Sequence, residues 1–184
     1  MEVRKTSQEL NIASRLSAGF FQRDVLEVAP DLLGKSLVRQ TDDGLRISGR
    51  IIEVEAYRGT EDLACHASKG RTTRTEVMFG PGGHVYVYLI YGMYWMLNFV
   101  TGEQDIPQAI LLRGVDTVTG PGRLTRQFQI DGEFYGENLA RSERLWVEDH
   151  PGKVNIVSGP RIGIDYAGKY WASRPWRYTT DLGS

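Results

Sequence analysis

The chain has 184 residues, 41% of them hydrophobic and 24% charged, with a formal net charge of −1. That length suits one domain able to bury roughly 70% of the surface its unfolded chain exposes, and the near-neutral balance disfavours a protein that coats nucleic acid, although averages hide patches. With no apolar run of about 18 residues, no apolar stretch in the opening MEVRKTSQELNIAS and one cysteine, Cys65, a membrane span, a secretory signal, an internal disulfide and a multi-cysteine metal site are all unexpected.

In chain order, residues 1–18 read as a polar, flexible tail and 19–184 as one folded domain. Phe20 to Leu33 predicts helical pieces, broken at Pro30 and closed by Gly34. Lys35–Gln40 and Leu45–Tyr57 are strand-like, joined by Asp42-Asp43-Gly44, with a bulge expected at Gly49. Thr60 is placed to cap a short helix through Ser68, with Glu61 and Asp62 in its first turn. Residues 71–78 are polar and irregular, and Gly80-Pro81-Gly82-Gly83 is a loop. The segment YVYLIYGMYWMLN, Tyr86 to Asn98, alternates as two strands that reverse near Tyr91-Gly92-Met93. Gln108–Val115 is a further strand, and Gly120-Pro121-Gly122 leads a helix to about Gln129. The last fifty residues alternate short strands, Leu145–Glu148 and Val154–Val157, with Gly/Pro turns. Strands close in sequence favour an α+β domain with a largely antiparallel curved sheet, flanking short helices and a protruding aromatic hairpin, over a doubly wound fold.

Several residues could carry chemistry. In RIIEVEAY, alternation puts Glu53, Glu55 and Tyr57 on one strand face and Ile52, Val54 and Ala56 on the other. The acidic face is either solubilising or a site. As a site, one glutamate serves as general base, or both form the carboxylate pair of a sugar hydrolase. His66 follows eleven residues after Glu55. Neither His84 nor His150 sits in a metal motif, so no metal or other cofactor is expected. Arg113 ends the apolar strand AILLR, as a solvated rim residue or as an ion-pair partner of Glu55. Basic residues cluster at Lys69, Arg71 and Arg74, at Arg123 and Arg126, and at Arg161, Lys169, Arg174 and Arg177. Such clusters are solvated surface or phosphate contacts. The hairpin tip is the oddity: turn tips carry Asn, Asp, Gly or Pro, whereas here one glycine lies between Tyr91 and Met93.

EVEAY with His66 downstream, MFGPGGHVYVYLIYGMYWMLN, ILLRGV, TGPGRLTRQ and GPRIGIDYAG, in that order, resemble the alkyladenine (3-methyladenine) DNA glycosylase family from about Leu32 to Tyr178. The resemblance implies a monofunctional glycosylase of base excision repair that flips damaged purines (3-methyladenine, 7-methylguanine, hypoxanthine) out of duplex DNA and hydrolyses the N-glycosidic bond, without metal. It implies Glu55 as the catalytic base with Arg113 helping to hold the water. Tyr57, His66 and Tyr88 become the base pocket, and Asn98 lies against the purine edge, where it excludes undamaged guanine by clash. Tyr91 fills the vacated stack and Met93 enters the minor groove beside it. Lys69, Arg71, Arg74, Arg123, Arg126 and Arg161 become candidate phosphate contacts. An electron-rich sandwich would favour a cationic alkylated base by cation–π attraction. The expected partner is double-stranded DNA approached from the minor-groove side, with no membrane. The enzyme is expected as a monomer, in the cytoplasm of a bacterial cell or the nucleus of a eukaryotic one. A non-catalytic binder of distorted DNA is the alternative.

Overall fold

The structure, a computed structural model, describes residues 15–182. Two short helices open it, α1 (Ala18–Phe21) and α2 (Val25–Leu32). Asp24 caps α2 by accepting the Leu26 N–H, and Val25, Val28, Ala29 and Leu32 form its buried stripe, the i, i+3, i+4, i+7 spacing of an amphipathic helix. The break falls at residues 22–24, before α2, and not at Pro30. Pro30 lies in the last turn, so its missing N–H and ring clash affect a helix that ends two residues later. Gly34, at φ 83°, turns the chain into the sheet. Residues 1–14 of the expected tail lie outside the described residues. Its remainder is packed: Leu16 is buried and donates its N–H to the Val147 carbonyl.

Nine strands follow among the described residues: β1 (Ser36–Gln40), β2 (Arg46–Arg58), β3 (Val85–Ile90), β4 (Tyr94–Thr101), β5 (Gln108–Val115), β6 (Val118–Thr119), β7 (Leu145–Glu148), β8 (Val157–Gly159) and β9 (Arg177–Thr179). The sheet runs β3-β4-β5-β2-β1-β7, with β6 on β5 and the β8–β9 pair on β2. Every pairing is antiparallel, giving an α+β domain. Helices α3 (Pro121–Gln127) and α4 (Lys169–Ala172) complete the list. The eighth strand begins at Val157, the last residue of the expected Val154–Val157.

Strand β2 is the organiser. Its first half pairs with β1, its second half with β5, and Glu53–Glu55 also pair with β9. The bulge lies between Ile51 and Val54, around Glu53, not at Gly49. Gly49 pairs regularly with Leu37; a Cβ there would lie 2.8 Å from Val115 Cγ2, so close approach of β5 explains the glycine. Alternation then divides the sheet. Val54, Ala56, Val85, Val87, Leu97, Phe99, Ile110 and Leu112 face the main core, packed with Phe21, Val28, Leu32, Leu124 and Phe128. The other face carries Glu55, Tyr57, Tyr86, Tyr88 and Asn98. Residues 60–79 cover it as turns and short 3-10 segments, His66–Lys69 and Glu76–Phe79, not as the expected helix from Thr60. Asp62 turns inward and is fully buried. Its carboxylate accepts the Ala64 and Arg58 N–H groups and binds Arg161, which bends the chain where a helix would have pointed it outward.

Candidate active site

The site is assembled across the sheet by register. Glu55 pairs with Leu111, Leu111 with Asn98, and Asn98 with Tyr86, one row across β2, β5, β4 and β3. Strands lie about 4.8 Å apart, so this row spans roughly 14 Å from the carboxylate to the far wall. Tyr57 and Tyr88 stand two residues along on the same face.

Glu55 is fully buried. Its Oε1 accepts the Ile162 N–H at 2.7 Å and its Oε2 accepts the Tyr57 hydroxyl at 2.8 Å. Arg113 Nε lies 3.6 Å from Glu55 Oε1, but its closer partner is Glu53 Oε1, at 3.0 Å. Arg177 Nε binds the same Glu53 oxygen at 2.7 Å. Two glutamates and two arginines therefore form one network, with Glu53 held between both guanidiniums. In that arrangement Glu53 is an ion-pair anchor shared by two guanidiniums, whereas Glu55 is the carboxylate beside Tyr57.

Beside Tyr57 opens a narrow slot of about 50 Å³, lined by Tyr57, His66, Tyr86, Tyr88, Asn98 and Tyr166 with Cys65 and Met78 at its apolar base. His66 Nδ1 shares a 2.8 Å hydrogen bond with the Tyr86 hydroxyl and its ring meets Tyr88 edge-on at 4.6 Å. Burial, then the charges of Arg74 and Lys69, push the His66 pKa down to about 4, so the imidazole is neutral near pH 7. Burial and then Glu55 raise the Tyr57 phenol well above its usual value. Burial takes Tyr86 up to about 12 and raises Tyr88 also. The slot is thus walled by neutral aromatic rings. Asn98 is fixed at its edge, its Nδ2 donating to the Tyr86 and Met96 carbonyls. Among the described residues no group of three or more His, Cys, Asp or Glu is placed to hold a metal ion.

The slot thus brings together four of the residues expected around a base, Tyr57, His66, Tyr88 and Asn98. Three contributors escaped the sequence. Tyr86 shares the strand face of Tyr88, a signal visible in the alternation. Tyr166 comes from the C-terminal segment. The Ile162 N–H is a main-chain donor without any side-chain signature. At the hairpin tip Tyr91 is 86% and Met93 62% exposed. Arg161 is a correction: only 4% exposed, it is spent on Asp62 at 2.6 and 2.9 Å and is closed to phosphate. Arg71 pairs with Asp105. Arg74 lies over the Tyr88 ring at 4.9 Å, while Lys69, Arg123 and Arg126 are exposed.

Comparison with known proteins gives the family. The family model described as methylpurine-DNA glycosylase matches residues 19–120 and 115–182. A protein of Methanocella arvoryzae is 46% identical over 183 residues, covering 89% of this chain and 90% of its own. One from Legionella pneumophila is 45% identical over 173 residues, covering 89% and 93%. One from an Anaeromyxobacter species is 47% identical over 176, covering 91% and 89%. All three bear the name "Putative 3-methyladenine DNA glycosylase". With a family match across nearly all the described residues and relatives at this identity, the chain belongs to the methylpurine-DNA glycosylase family, DNA-repair hydrolases of N-glycosyl bonds.

Proposed function

We propose that this enzyme is a monofunctional glycosylase that extrudes an alkylated or deaminated purine nucleotide from duplex DNA and hydrolyses its N-glycosidic bond with a water activated by Glu55. The observation that carries the reading is a fully buried carboxylate, held by the Ile162 N–H, the Tyr57 hydroxyl and Arg113, beside a slot of neutral aromatic rings. Glu55 takes the water proton as oxygen bonds to the sugar C1′; the C1′–N bond breaks and its electron pair leaves with the base. An alkylated base departs neutral, while hypoxanthine needs a proton as it leaves. Tyr57, His66 and Tyr88 stack on the flipped base, each aromatic contact contributing about 1–3 kcal/mol. That offsets an unpairing cost of a few kcal/mol. Asn98 limits entry of undamaged guanine. Tyr91 and Met93 occupy the gap from the minor groove, with Lys69, Arg74, Arg123 and Arg126 toward the phosphates of double-stranded DNA. A monomer suffices, since every group in this scheme comes from one chain.

The test is single-turnover release of hypoxanthine and 3-methyladenine from duplex DNA by Glu55→Gln. Loss of release with retained duplex binding is expected; retained release would refute Glu55 as the base. Binding without product by the unmodified protein would point instead to a non-catalytic damage binder.

A further inference from the structure

Arg161 and Asp62 are both fully buried side chains that the scheme above leaves without a role. Their contacts are specific. The guanidinium makes two bonds to the carboxylate, a third to the Ala56 carbonyl at 3.0 Å, and lies 4.7 Å from the Tyr57 ring centroid and 5.0 Å from Trp176. Its Nε is buried with no partner. The next residue, Ile162, gives Glu55 its main-chain donor.

A buried ion pair is weak evidence for stability. Desolvation offsets much of the attraction, and an apolar pair of similar volume is often as stable. The orphaned Nε adds a further cost. The geometry accounts for keeping the pair. Ala56 lies between Glu55 and Tyr57 in β2, so the third bond ties Arg161 to the peptide between the two site residues. The guanidinium carbon then lies 4.7 Å from the Tyr57 ring centroid, while the peptide that follows it reaches the Glu55 carboxylate.

We propose that Arg161, seated by Asp62, is a positioning residue: it clamps the 161–162 turn so that the Ile162 N–H orients the Glu55 carboxylate and the Tyr57 ring keeps its place in the slot. The inference rests on the role of Glu55 proposed above. It adds that a pair outside the slot governs the geometry of the carboxylate within it.

The experiment compares Arg161→Met, Arg161→Lys and Glu55→Gln with the unmodified enzyme. It measures single-turnover excision of hypoxanthine at saturating enzyme across pH, affinity for a duplex holding a tetrahydrofuran abasic site, and melting temperature. Arg161→Met is expected to slow excision by about 100-fold, the cost typical of ångström-scale misplacement, with abasic-site affinity changed less than threefold. The acid limb of its pH–rate profile should move to higher pH, because a carboxylate deprived of an N–H donor holds its proton more tightly. Arg161→Lys, which keeps the charge but not the fork, should fall between. A folded Arg161→Met with excision within twofold and an unmoved acid limb overturns the proposal. If neither Arg161 variant folds, Ile162→Pro deletes the same donor directly, and unmodified kinetics there overturn it equally. An active Glu55→Gln would instead defeat the reading on which the proposal rests.

Discussion

Tyr91 offers a sharp separation between folding and function. It occupies the tip of the β3–β4 hairpin, where Ile90 and Tyr94 form the last pair and the Met93 N–H closes the turn on the Ile90 carbonyl at 3.1 Å. Its φ is 51° and that of Gly92 is 64°. Glycine adopts this left-handed region without cost, whereas a bulky residue pays about 1–2 kcal/mol. The side chain recovers nothing within the free protein, because it is 86% exposed. Replacing Tyr91 by Ala should therefore leave stability within about 0.5 kcal/mol, and Tyr91→Gly should be more stable than Tyr91→Ala by about 1 kcal/mol through relief of backbone strain. The DNA complex should respond oppositely. Burying about 170 Å² of aromatic surface is worth about 4 kcal/mol gross, of which stacking measurements retain about 1–3 kcal/mol. Both variants should bind an abasic-site duplex about 5- to 150-fold more weakly at fixed salt. Urea denaturation and fluorescence anisotropy read the two quantities. A Tyr91→Ala protein destabilised by more than 1 kcal/mol, or one with unchanged abasic-site affinity, would refute the argument.

His66 and the basic rim supply two further tests. The folded pKa of His66, about 4, lies below the unfolded value of about 6.5, so the unfolded chain binds the proton first as pH falls. Stability should drop by roughly 3 kcal/mol between pH 6.5 and 4 on this account, and His66→Gln should flatten that part of a urea-denaturation profile; an unchanged profile would mean the imidazole is not buried neutral. Arg123 and Arg126 are exposed beside the start and end of α3, and each phosphate contact contributes about −0.9 to the slope of log K against log salt. Arg123→Gln/Arg126→Gln should make the slope shallower by about 1.8 if both touch phosphate, and a parallel line would remove them from the footprint.

How much of this was legible in the sequence follows from what each feature depends on. The alternation of EVEAY and YVYLIY placed Glu55 with Tyr57 and Tyr86 with Tyr88 on shared faces, because side-chain direction in a strand is local. The row from Glu55 through Leu111 and Asn98 to Tyr86 was not legible, since register depends on turn lengths and on the bulge around Glu53. Gly49 drew the bulge in the sequence, but a glycine marks either a bulge or a close approach, and only the Val115 contact decides. Arg161 read as surface because charge is usually solvated. Its partner Asp62 lies 99 residues away, in a segment whose acids looked like the first turn of a helix. Ile162 was out of reach in principle, as every residue but proline carries the same main-chain donor.

The walls of the slot also revise the expectation of an electron-rich sandwich. Arg161 lies 4.7 Å from the Tyr57 centroid and Arg74 lies 4.9 Å from that of Tyr88, so each of these rings already carries a guanidinium. A ring that has given one face to a cation offers less attraction to a second on the other, and unit charges held in a protein repel appreciably across several ångströms. Asp62 offsets the charge of Arg161, yet Arg74 has no such carboxylate among the ion pairs of the described residues. On these two rings a positively charged base therefore gains less by cation–π attraction than on rings free of a guanidinium. Under the proposed function the charged lesions leave readily because their own bond is weak, and the slot acts on shape and on the edge presented to Asn98. On that proposal the uncharged rings would stack on alkylated and deaminated purines alike, and the buried Glu55 carboxylate would set where the water attacks.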